Sequence, residues 1–191
     1  MSRDKPTYGG HFVRLFHRDE VRYMEFYKIQ SISKIDIPFL WDMLYEIRCE
    51  RCLREGKIKP SRDILKTPDL AKYVQDWRRR GDKGFIAISA DNQAPIGAAW
   101  YRLFKENDKG YGYVDDKTPE IAIATLSAYR NKGLGQALML HLFEQAKLDG
   151  YQQVSLSCGL TNANALHLYQ KLGFEKVELF DISCVMKKVL I

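Results

Sequence analysis

Residues 119–150 constrain the fold of this 191-residue chain more than any other part of the sequence. They run from the apolar stretch PEIAIATL through the basic turn SAYRNKGLG into the periodic segment QALMLHLFEQA. The apolar stretch predicts a strand, and the spacing of Leu134, Leu138 and Leu142 predicts a helix from about 133 to 149 with one buried face. A strand that turns through glycines directly into a helix indicates an α/β fold.

The remaining segments fit the same class of fold. An alternating stretch after Phe26 predicts a strand, and two helical segments follow, from Asp36 to Gly56 and from Thr67 to Gly81. GFIAISA and IGAAWYRLF predict a hairpin, QVSLSC a buried strand, TNANALHLYQKLGF a short helix, and the C-terminal stretch one or two strands. The predicted order is therefore β-α-α-β-β-β-α-β-α-β, a mixed α/β architecture.

Length and composition set the wider expectations. The length fits one domain, 1–191, in which residues 1–25 form an N-terminal extension whose stretch GHFVRLF would add a strand. No apolar run reaches the roughly 18 to 20 residues that cross a bilayer, and the N-terminus lacks the apolar core of a secretory signal, so we expect a cytoplasmic protein. The net charge of +6 comes from the first 80 residues. A nucleic-acid-binding protein would concentrate more charge and interleave aromatic residues, so solvated helix faces explain this excess better.

The four cysteines predict neither a metal site nor a disulfide framework. Cys49 and Cys52 have the spacing of half a zinc site, but no second Cys/His pair completes it. Cys158 ends a predicted buried strand, and the sequence shows no nearby base that would activate it. We therefore expect reduced, buried thiols and no bound metal.

The glycine turn has the features of an anion-binding site. At the start of a helix several backbone N–H groups lack partners and the helix dipole is positive, while glycine lets a phosphate approach the backbone. Arg130 and Lys132 add positive charge. A Walker-type motif is absent, and a dinucleotide motif fails at Leu138 and Ser155, where a glycine and an acidic residue should stand. A turn that binds no ligand is the alternative.

Two motifs together resemble the GNAT N-acetyltransferase superfamily. RNKGLG matches its R/Q-x-x-G-x-G/A pattern, which cradles the pyrophosphate of coenzyme A, and NANALHLYQKLGF resembles its Asn-x-x-Ala signature with a following tyrosine and a Gly-Phe ending. The two motifs occur in the family's order, with one strand between them. The resemblance is close over about 85–188 and holds in element order alone over 26–80. It implies a GNAT-like core over 26–188, an α/β fold with a mixed β-sheet flanked by helices on both faces.

The resemblance also implies where acetyl-CoA would bind. This acetyl donor would lie between the strand that ends at Leu126 and the strand 154–158. Its pantetheine arm would pair with backbone groups, and its pyrophosphate would rest on the amides of the turn. The implied cofactor-binding residues are Thr125, Leu126, Arg130, Asn131, Lys132, Gly133, Leu134, Gly135, Gln136 and Asn162.

Two catalytic residues follow from the same resemblance. Tyr169 matches a tyrosine that protonates the leaving thiolate, and a phenol with a pKa near 10 suits that task; the alternative is a packing role. Glu120 matches a glutamate that acts as general base directly or through water; the alternative is a strand-edge carboxylate in solvent. Ser157 stands where relatives that act on protein N-terminal amines place Glu or His, which moves the base role to Glu120 or ordered water. The backbone N–H of Thr125 or Leu126 would stabilise the oxyanion.

The function that the resemblance implies is transfer of an acetyl group from acetyl-CoA to a primary amine, by direct attack in a ternary complex. The acceptor would be a small-molecule amine or a protein amine. The loop 105–118, with its YGYVDD stretch, would either bind a cationic amine or form a hydrated turn. A non-catalytic CoA-binding sensor or interaction module on the same fold is the alternative function. Dimerisation is common in the superfamily, and the C-terminal strand would form the seam of a homodimer.

Overall fold

The structure, a computed structural model, describes residues 26–190, which form a mixed β-sheet with helices on both faces. The predicted element order is confirmed, and the C-terminal stretch forms two strands. The strand expected within residues 1–25 lies outside the described residues. The strands are β1 (Tyr27–Ser31), β2 (Lys83–Ser89), β3 (Pro95–Arg102), β4 (Glu120–Thr125), β5 (Gln153–Gly159), β6 (Glu175–Leu179) and β7 (Ser183–Val189). The helices are α1 (Ile37–Arg54), α2 (Pro68–Ala71), α3 (Leu134–Leu148) and α4 (Ala163–Lys171).

The divergence of β4 and β5 is the central feature of the sheet. The strand order is β1-β2-β3-β4-β5-β7-β6, and every neighbouring pair except β4 and β5 is antiparallel. These two strands run parallel and are in register at one position, where Glu120 lies opposite Ser155. Beyond that position no further register pair joins them, so a cleft opens between the carboxyl ends of the two strands.

The alternation of side chains along β4 divides them between two hydrophobic cores. Ile121 and Ile123 pack in the core that β4 shares with α3 and α4. Ala122 and Ala124 pack in the core on the opposite face, beneath α1. Because side chains two positions apart lie on the same face of a strand, Glu120 belongs to the α1 face, where it is 3% exposed.

The second predicted helix is shorter than its sequence pattern suggests. The pattern predicts a continuous helix to Gly81, but α2 ends at Ala71 and the chain continues in turns. Hydrogen bonds from two buried β3 side chains satisfy the carbonyl groups that a longer helix would use. Trp100 Nε1 donates to the Tyr73 carbonyl (3.0 Å), and the Arg102 guanidinium donates to the carbonyls of Lys72 and Gln75. Tertiary hydrogen bonds therefore override local helix propensity in this segment.

A buried ion pair between Arg102 and Asp82 ties β3 to the segment that follows α2. The guanidinium contacts both carboxylate oxygens, at 2.9 Å through Nε and 2.6 Å through Nη2. The two side chains are 2% and 1% exposed. Either charge left alone in this environment would be strongly destabilising, because it could not recover its hydration. The pair therefore fixes the path of residues 72–82 across the sheet.

The four cysteines are buried, which agrees with the expected core thiols. Within residues 26–190 no three His, Cys, Asp or Glu side chains form a group that could hold a metal ion. None of the helices in that range has the length and apolar composition to cross a membrane. The C-terminal strand β7 is paired on both sides, with β5 and β6, so the edge of the sheet is β6. A homodimer with the C-terminal strand as its seam stays a prediction.

Replacement of Arg102 by Met tests the role of the buried ion pair. The variant leaves the Asp82 carboxylate buried without its partner, so we expect the free energy of unfolding in urea to fall by about 3–5 kcal/mol. Arg79→Met is the matched control, because it breaks an exposed pair with Asp76 (3.4 Å) and should cost much less. Equal, small losses in both variants would contradict a structural role for Arg102.

Candidate active site

The cleft between β4 and β5 contains most of the residues that the sequence singled out. It has a volume of about 2210 Å³ and is bounded by α1, the glycine turn, α3 and α4. Nine of the twelve predicted residues line it: Glu120, Thr125, Arg130, Asn131, Gly133, Gly135, Gln136, Asn162 and Tyr169. The other three, Leu126, Lys132 and Leu134, do not. The cleft thus joins a backbone turn, a carboxylate and a phenol that are far apart in sequence.

The glycine turn presents a row of backbone amides to this cleft. Gly133 precedes α3 with a φ of +81°, a conformation that glycine adopts without strain, and Asn131 has a φ of +57°. The N–H groups of residues 131–136 have no backbone acceptor within the described part of the chain. They lie at the positive end of the α3 dipole, so the turn has the chemistry of an anion site.

Arg130 anchors the turn and is not a free positive charge. Its guanidinium forms an ion pair with Glu50 and lies 3.8 Å from Glu46, both on α1. Its Nε donates to the carbonyl of Thr125 at 3.1 Å. The expectation that Arg130 adds charge beside a phosphate is therefore corrected, because two carboxylates of α1 already balance that charge. No local motif marks these partners, which lie about 80 residues earlier in the chain.

The backbone edge that β4 offers to the cleft differs by one residue from the prediction. The N–H of Leu126 donates to Ile96 on β3, and its carbonyl accepts from Tyr129, so both groups are engaged. Because backbone groups alternate sides along a strand, the groups of Ile123 and Thr125 point toward β5. The prediction that Leu126 offers its backbone to a ligand is therefore wrong. Ile123 faces the cleft instead, and counting alternate residues along β4 identifies it.

Asn162 is the N-cap residue of α4. Its side-chain oxygen accepts a hydrogen bond from the Ala165 N–H at 3.3 Å, the geometry of a helix N-cap. This leaves the side-chain NH₂ group as the part of Asn162 available to a ligand in the cleft.

Tyr169 has the properties of a neutral proton donor. Its side chain is 8% exposed and lines the cleft, and no hydrogen bond shifts the pKa of its hydroxyl. Burial, and then the neighbouring Cys158, raise the pKa of this phenol well above its ordinary value of 10. Burial also raises the pKa of the Cys158 thiol to about 12, so the thiol stays protonated and is a poor nucleophile.

Glu120 is buried, so the alternative of a solvent-exposed strand-edge carboxylate is wrong. The Tyr73 hydroxyl donates to Glu120 Oε1 at 2.6 Å, while Oε2 has no hydrogen-bond partner within the described residues. Burial raises the pKa of Glu120 to about 7. The Tyr73 hydrogen bond, the Gly112 N–H and the charge of Lys72 act in the opposite direction and limit the rise. The result is a carboxyl group that titrates near neutral pH.

Tyr73 is the residue of the site that sequence reasoning missed. It follows α2 in a segment that the sequence pattern assigns to a helix, where a tyrosine beside Val74 resembles a core residue. Its contact with Glu120 joins positions 47 residues apart, and no local motif marks it.

The acidic part of the loop 105–118 shapes the loop and does not line the cleft. Asp115 accepts hydrogen bonds from the Thr118 hydroxyl (2.8 Å) and from Gln153 (3.1 Å). Asp116 accepts from the Tyr113 hydroxyl at 2.8 Å. Neither aspartate is among the cleft residues, although Tyr111 is. Of the two alternatives for this loop, the structure therefore favours the turn over a carboxylate site for a cationic amine.

Comparison with known proteins identifies relatives of this fold. The model of the acetyltransferase (GNAT) family matches residues 41–174. The uncharacterised protein YdhI of Bacillus subtilis is 31% identical over 114 residues, which are 60% of this chain and 63% of that protein. N-alpha-acetyltransferase 50 of Danio rerio is 25% identical over 108 residues, 56% of this chain and 60% of that protein. The chain thus covers less than two thirds of either relative.

A solved structure adds a likeness of fold. The spermidine N-acetyltransferase of Vibrio cholerae, in complex with CoA and spermine, superposes with a TM-score of 0.56 at 18% identity. The match covers 86% of this chain and 95% of that one. At this identity the likeness concerns the fold alone.

Glu120→Gln tests the burial of this carboxyl group through the pH dependence of stability. Because the pKa of Glu120 is raised from 4.5 to about 7, the folded chain binds the proton more tightly than the unfolded chain. Its contribution to stability is complete below about pH 4.5 and is lost as the pH rises through 7. We expect the unfolding free energy of the wild type, minus that of the variant, to fall between pH 4.5 and 8, by at most about 3 kcal/mol.

Urea unfolding at a series of pH values measures this difference. Glu178→Gln, which removes an exposed glutamate of β6, is the control. A difference between wild type and Glu120→Gln that does not change with pH would contradict the raised pKa.

Proposed function

The chain belongs to the acetyltransferase (GNAT) family, and from that premise we propose that it transfers an acetyl group from acetyl-CoA to a primary amine. One observation carries the proposal: unpaired turn amides, a neutral buried phenol and a buried carboxylate converge in a single cleft. The amine attacks the thioester directly in a ternary complex. The protonated thiol of Cys158 supports this route over one through an acyl-cysteine.

The donor binds along the backbone groups that the cleft leaves unpaired. The amides of residues 131–136 hold the pyrophosphate at the positive end of α3. The pantetheine arm pairs with the β5-facing N–H and carbonyl of Ile123, and Asn162 contributes its side-chain NH₂; the Thr125 carbonyl already accepts from Arg130. Acetyl-CoA itself supplies the activated acetyl group and the thiolate that leaves.

Glu120 acts as the general base. An alkyl ammonium has a pKa near 10.4 and must lose a proton before it can attack. A carboxylate with a pKa of about 7 is largely ionised just above neutral pH, yet binds a proton better than an exposed glutamate. The Glu120 carboxylate, which lines the cleft, receives the proton from the amine directly or through a water molecule.

Tyr169 acts as the general acid. Its raised pKa keeps the phenol protonated at neutral pH, and its hydroxyl is free to donate to the departing thiolate. The N–H of Thr125, which faces the cleft, stabilises the charge that develops on the acetyl oxygen. The nitrogen of the ammonium loses two protons in all. The first, lost before attack, goes to Glu120; the second, lost as the amide forms, replaces the proton that Tyr169 gives to the thiolate.

The acceptor is a primary amine of a small molecule or a protein. The named relatives include a spermidine N-acetyltransferase and an N-alpha-acetyltransferase. Ser157, which lines the cleft, is too weak a base to replace Glu120. A cytoplasmic location is part of this proposal.

Binding of acetyl-CoA to the glycine turn is tested by substitutions at Gly133. A ligand at about 100 times its dissociation constant stabilises a protein by roughly 2.7 kcal/mol, so we expect a clear rise in the melting temperature of the wild type with acetyl-CoA or CoA. Gly133→Asp places a carboxylate beside the turn amides and should abolish this rise. Gly133→Ala adds the same backbone strain without the charge and should keep part of it.

Gly150→Asp is the matched control for these substitutions. Gly150 has nearly the same backbone conformation, φ +84°, with open space around it, but lies at the opposite end of α3. This variant should show the full rise with CoA. An unchanged rise in Gly133→Asp would contradict binding at the turn.

Turnover distinguishes an enzyme from a CoA-binding sensor. We expect the wild type to release CoA from acetyl-CoA in the presence of at least one amine from a panel of polyamines, amino acids and peptides. Tyr169→Phe and Glu120→Gln should each slow this reaction about 100-fold or more and still bind CoA, because each removes a proton-transfer group and not a binding group. Binding without turnover for every amine would instead support the non-catalytic alternative. Normal rates in both variants would exclude the assigned acid and base.

A further inference from the structure

Tyr73 makes the hydrogen bond that holds the buried carboxylate of Glu120. Its hydroxyl donates to Oε1 at 2.6 Å and at the same time accepts from the Tyr111 N–H at 2.7 Å. A chain of two hydrogen bonds thus runs from the backbone of the loop 105–118 through one phenol to one oxygen of Glu120. The other oxygen, Oε2, has no partner within the described residues.

We propose that Tyr73 is a positioning residue for the base: it holds the Glu120 carboxylate through Oε1 and makes the strength of the base depend on the contact between the loop and Tyr73. The proposal rests on the proposed function for the identity of the base.

Hydrogen bonds from β3 hold the backbone around Tyr73 in place, in addition to the packing of its ring. Trp100 Nε1 bonds its carbonyl, and Arg102 bonds the carbonyls of Lys72 and Gln75 on either side. Its ring packs edge-on against Phe104, with centroids 5.0 Å apart. The phenol oxygen therefore stays within reach of Glu120 without depending on the Glu120 contact itself.

The loop meets Glu120 and β5 at distances that only glycine permits. A Cβ at Gly110 would lie 2.1 Å from Glu120 Oε2, and a Cβ at Gly112 would lie 2.5 Å from the Leu156 carbonyl carbon. The Tyr111 ring between them stacks on Tyr73 at 6.1 Å, with 9° between the planes. The loop is also held by Lys72, whose Nζ donates to the Lys109 carbonyl at 2.6 Å.

The direction of the effect follows from the charges around Glu120. A hydroxyl that donates to a carboxylate stabilises the ionised form, and the Tyr111 N–H strengthens that hydroxyl as a donor by polarising it. Lys72 and the Gly112 N–H favour the ionised form as well. On β3 the charged neighbour is Arg102, which is paired with Asp82, and on β5 the facing residue is the neutral Ser155. On the α1 side, Arg51 lies over the Tyr111 ring and forms an ion pair with Glu55.

Tyr73→Phe tests the proposal with Tyr101→Phe as its matched control. The Tyr101 hydroxyl also donates to a carboxylate at 2.6 Å, that of Asp149, but on the opposite face of the sheet and outside the cleft. Two pH titrations are made on each variant: the ¹³C signal of the Glu120 carboxyl group, assigned with Glu120→Gln, and the rate of acetyl transfer. Loss of one hydrogen bond to a charged group should move both midpoints of Tyr73→Phe upward by about one pH unit or more. Both should stay in place in Tyr101→Phe.

The outcomes separate this inference from the proposed function. A rate that recovers at high pH in Tyr73→Phe, together with an upward shift of the carboxyl midpoint, supports it. Equal loss of rate at every pH, or an unmoved carboxyl midpoint, overturns it even if the wild type is an active acetyltransferase. If the wild type transfers no acetyl group, the proposed function fails. The carboxyl titration then still decides whether Tyr73 tunes Glu120.

Gly112→Ala provides a second variant that leaves Tyr73 intact. Its methyl group collides with the backbone of β5, so the loop must move away from Tyr73 and Glu120. The carboxyl midpoint should move, because withdrawal of the Tyr111 and Gly112 N–H groups raises it and entry of water beside Glu120 lowers it. An unchanged midpoint in this variant would overturn the coupling between loop and base.

Discussion

The cleft in this chain exists because β4 and β5 form no ladder of backbone hydrogen bonds beyond one paired position. Their register is confined to Glu120 and Ser155, after which the strands separate. If the ladder continued, the β5-facing amides of Ile123 and Thr125 would be used within the sheet. The glycine turn would then end a closed sheet and would not face a cleft. One interruption of pairing therefore opens a backbone edge, exposes the start of α3 and places a carboxylate at the closed end of the opening.

This arrangement leaves polar atoms buried without partners, and their location is informative. Among the described residues, Glu120 Oε2 and Ser155 Oγ are buried side-chain atoms that lack a hydrogen bond. They belong to the one paired position of β4 and β5 and lie on the same face of the sheet. Each unsatisfied group costs about 1–3 kcal/mol, so a fold that retains two together at the closed end of a cleft carries a cost that packing does not explain. Such a cost is common at functional sites, which agrees with the base role that we propose for Glu120.

The parts of the site that sequence could predict are those that depend on neighbours along the chain. The strand, glycine turn and helix from 119 to 149 form one local unit, and the cap at Asn162 follows from its own short segment. Tyr73 could not be predicted, because its position depends on side chains of β3 that replace helical hydrogen bonds. The partners of Arg130 on α1 could not be predicted either, because they are distant in sequence. The error at Leu126 is of another kind, since the side of β4 that faces the cleft depends on the pairing of β4 with β3, which local sequence does not specify.

The engagement of Arg130 changes how an anion would be recognised at the turn. Two carboxylates of α1 balance its charge, and Lys132 lies over the ring of Tyr129, 5.6 Å from its centroid, outside the cleft-lining residues. The groups that remain to meet a pyrophosphate are backbone amides fixed by the start of α3. Such dipoles need no reorganisation when the ligand arrives and, unlike exposed cations, attract no competing counter-ions. Because Arg130 also bonds the Thr125 carbonyl, the ion pair that balances its charge holds α1, the end of β4 and the turn together. One residue that contributes no free charge to the cleft thus fixes α1 and the glycine turn relative to each other.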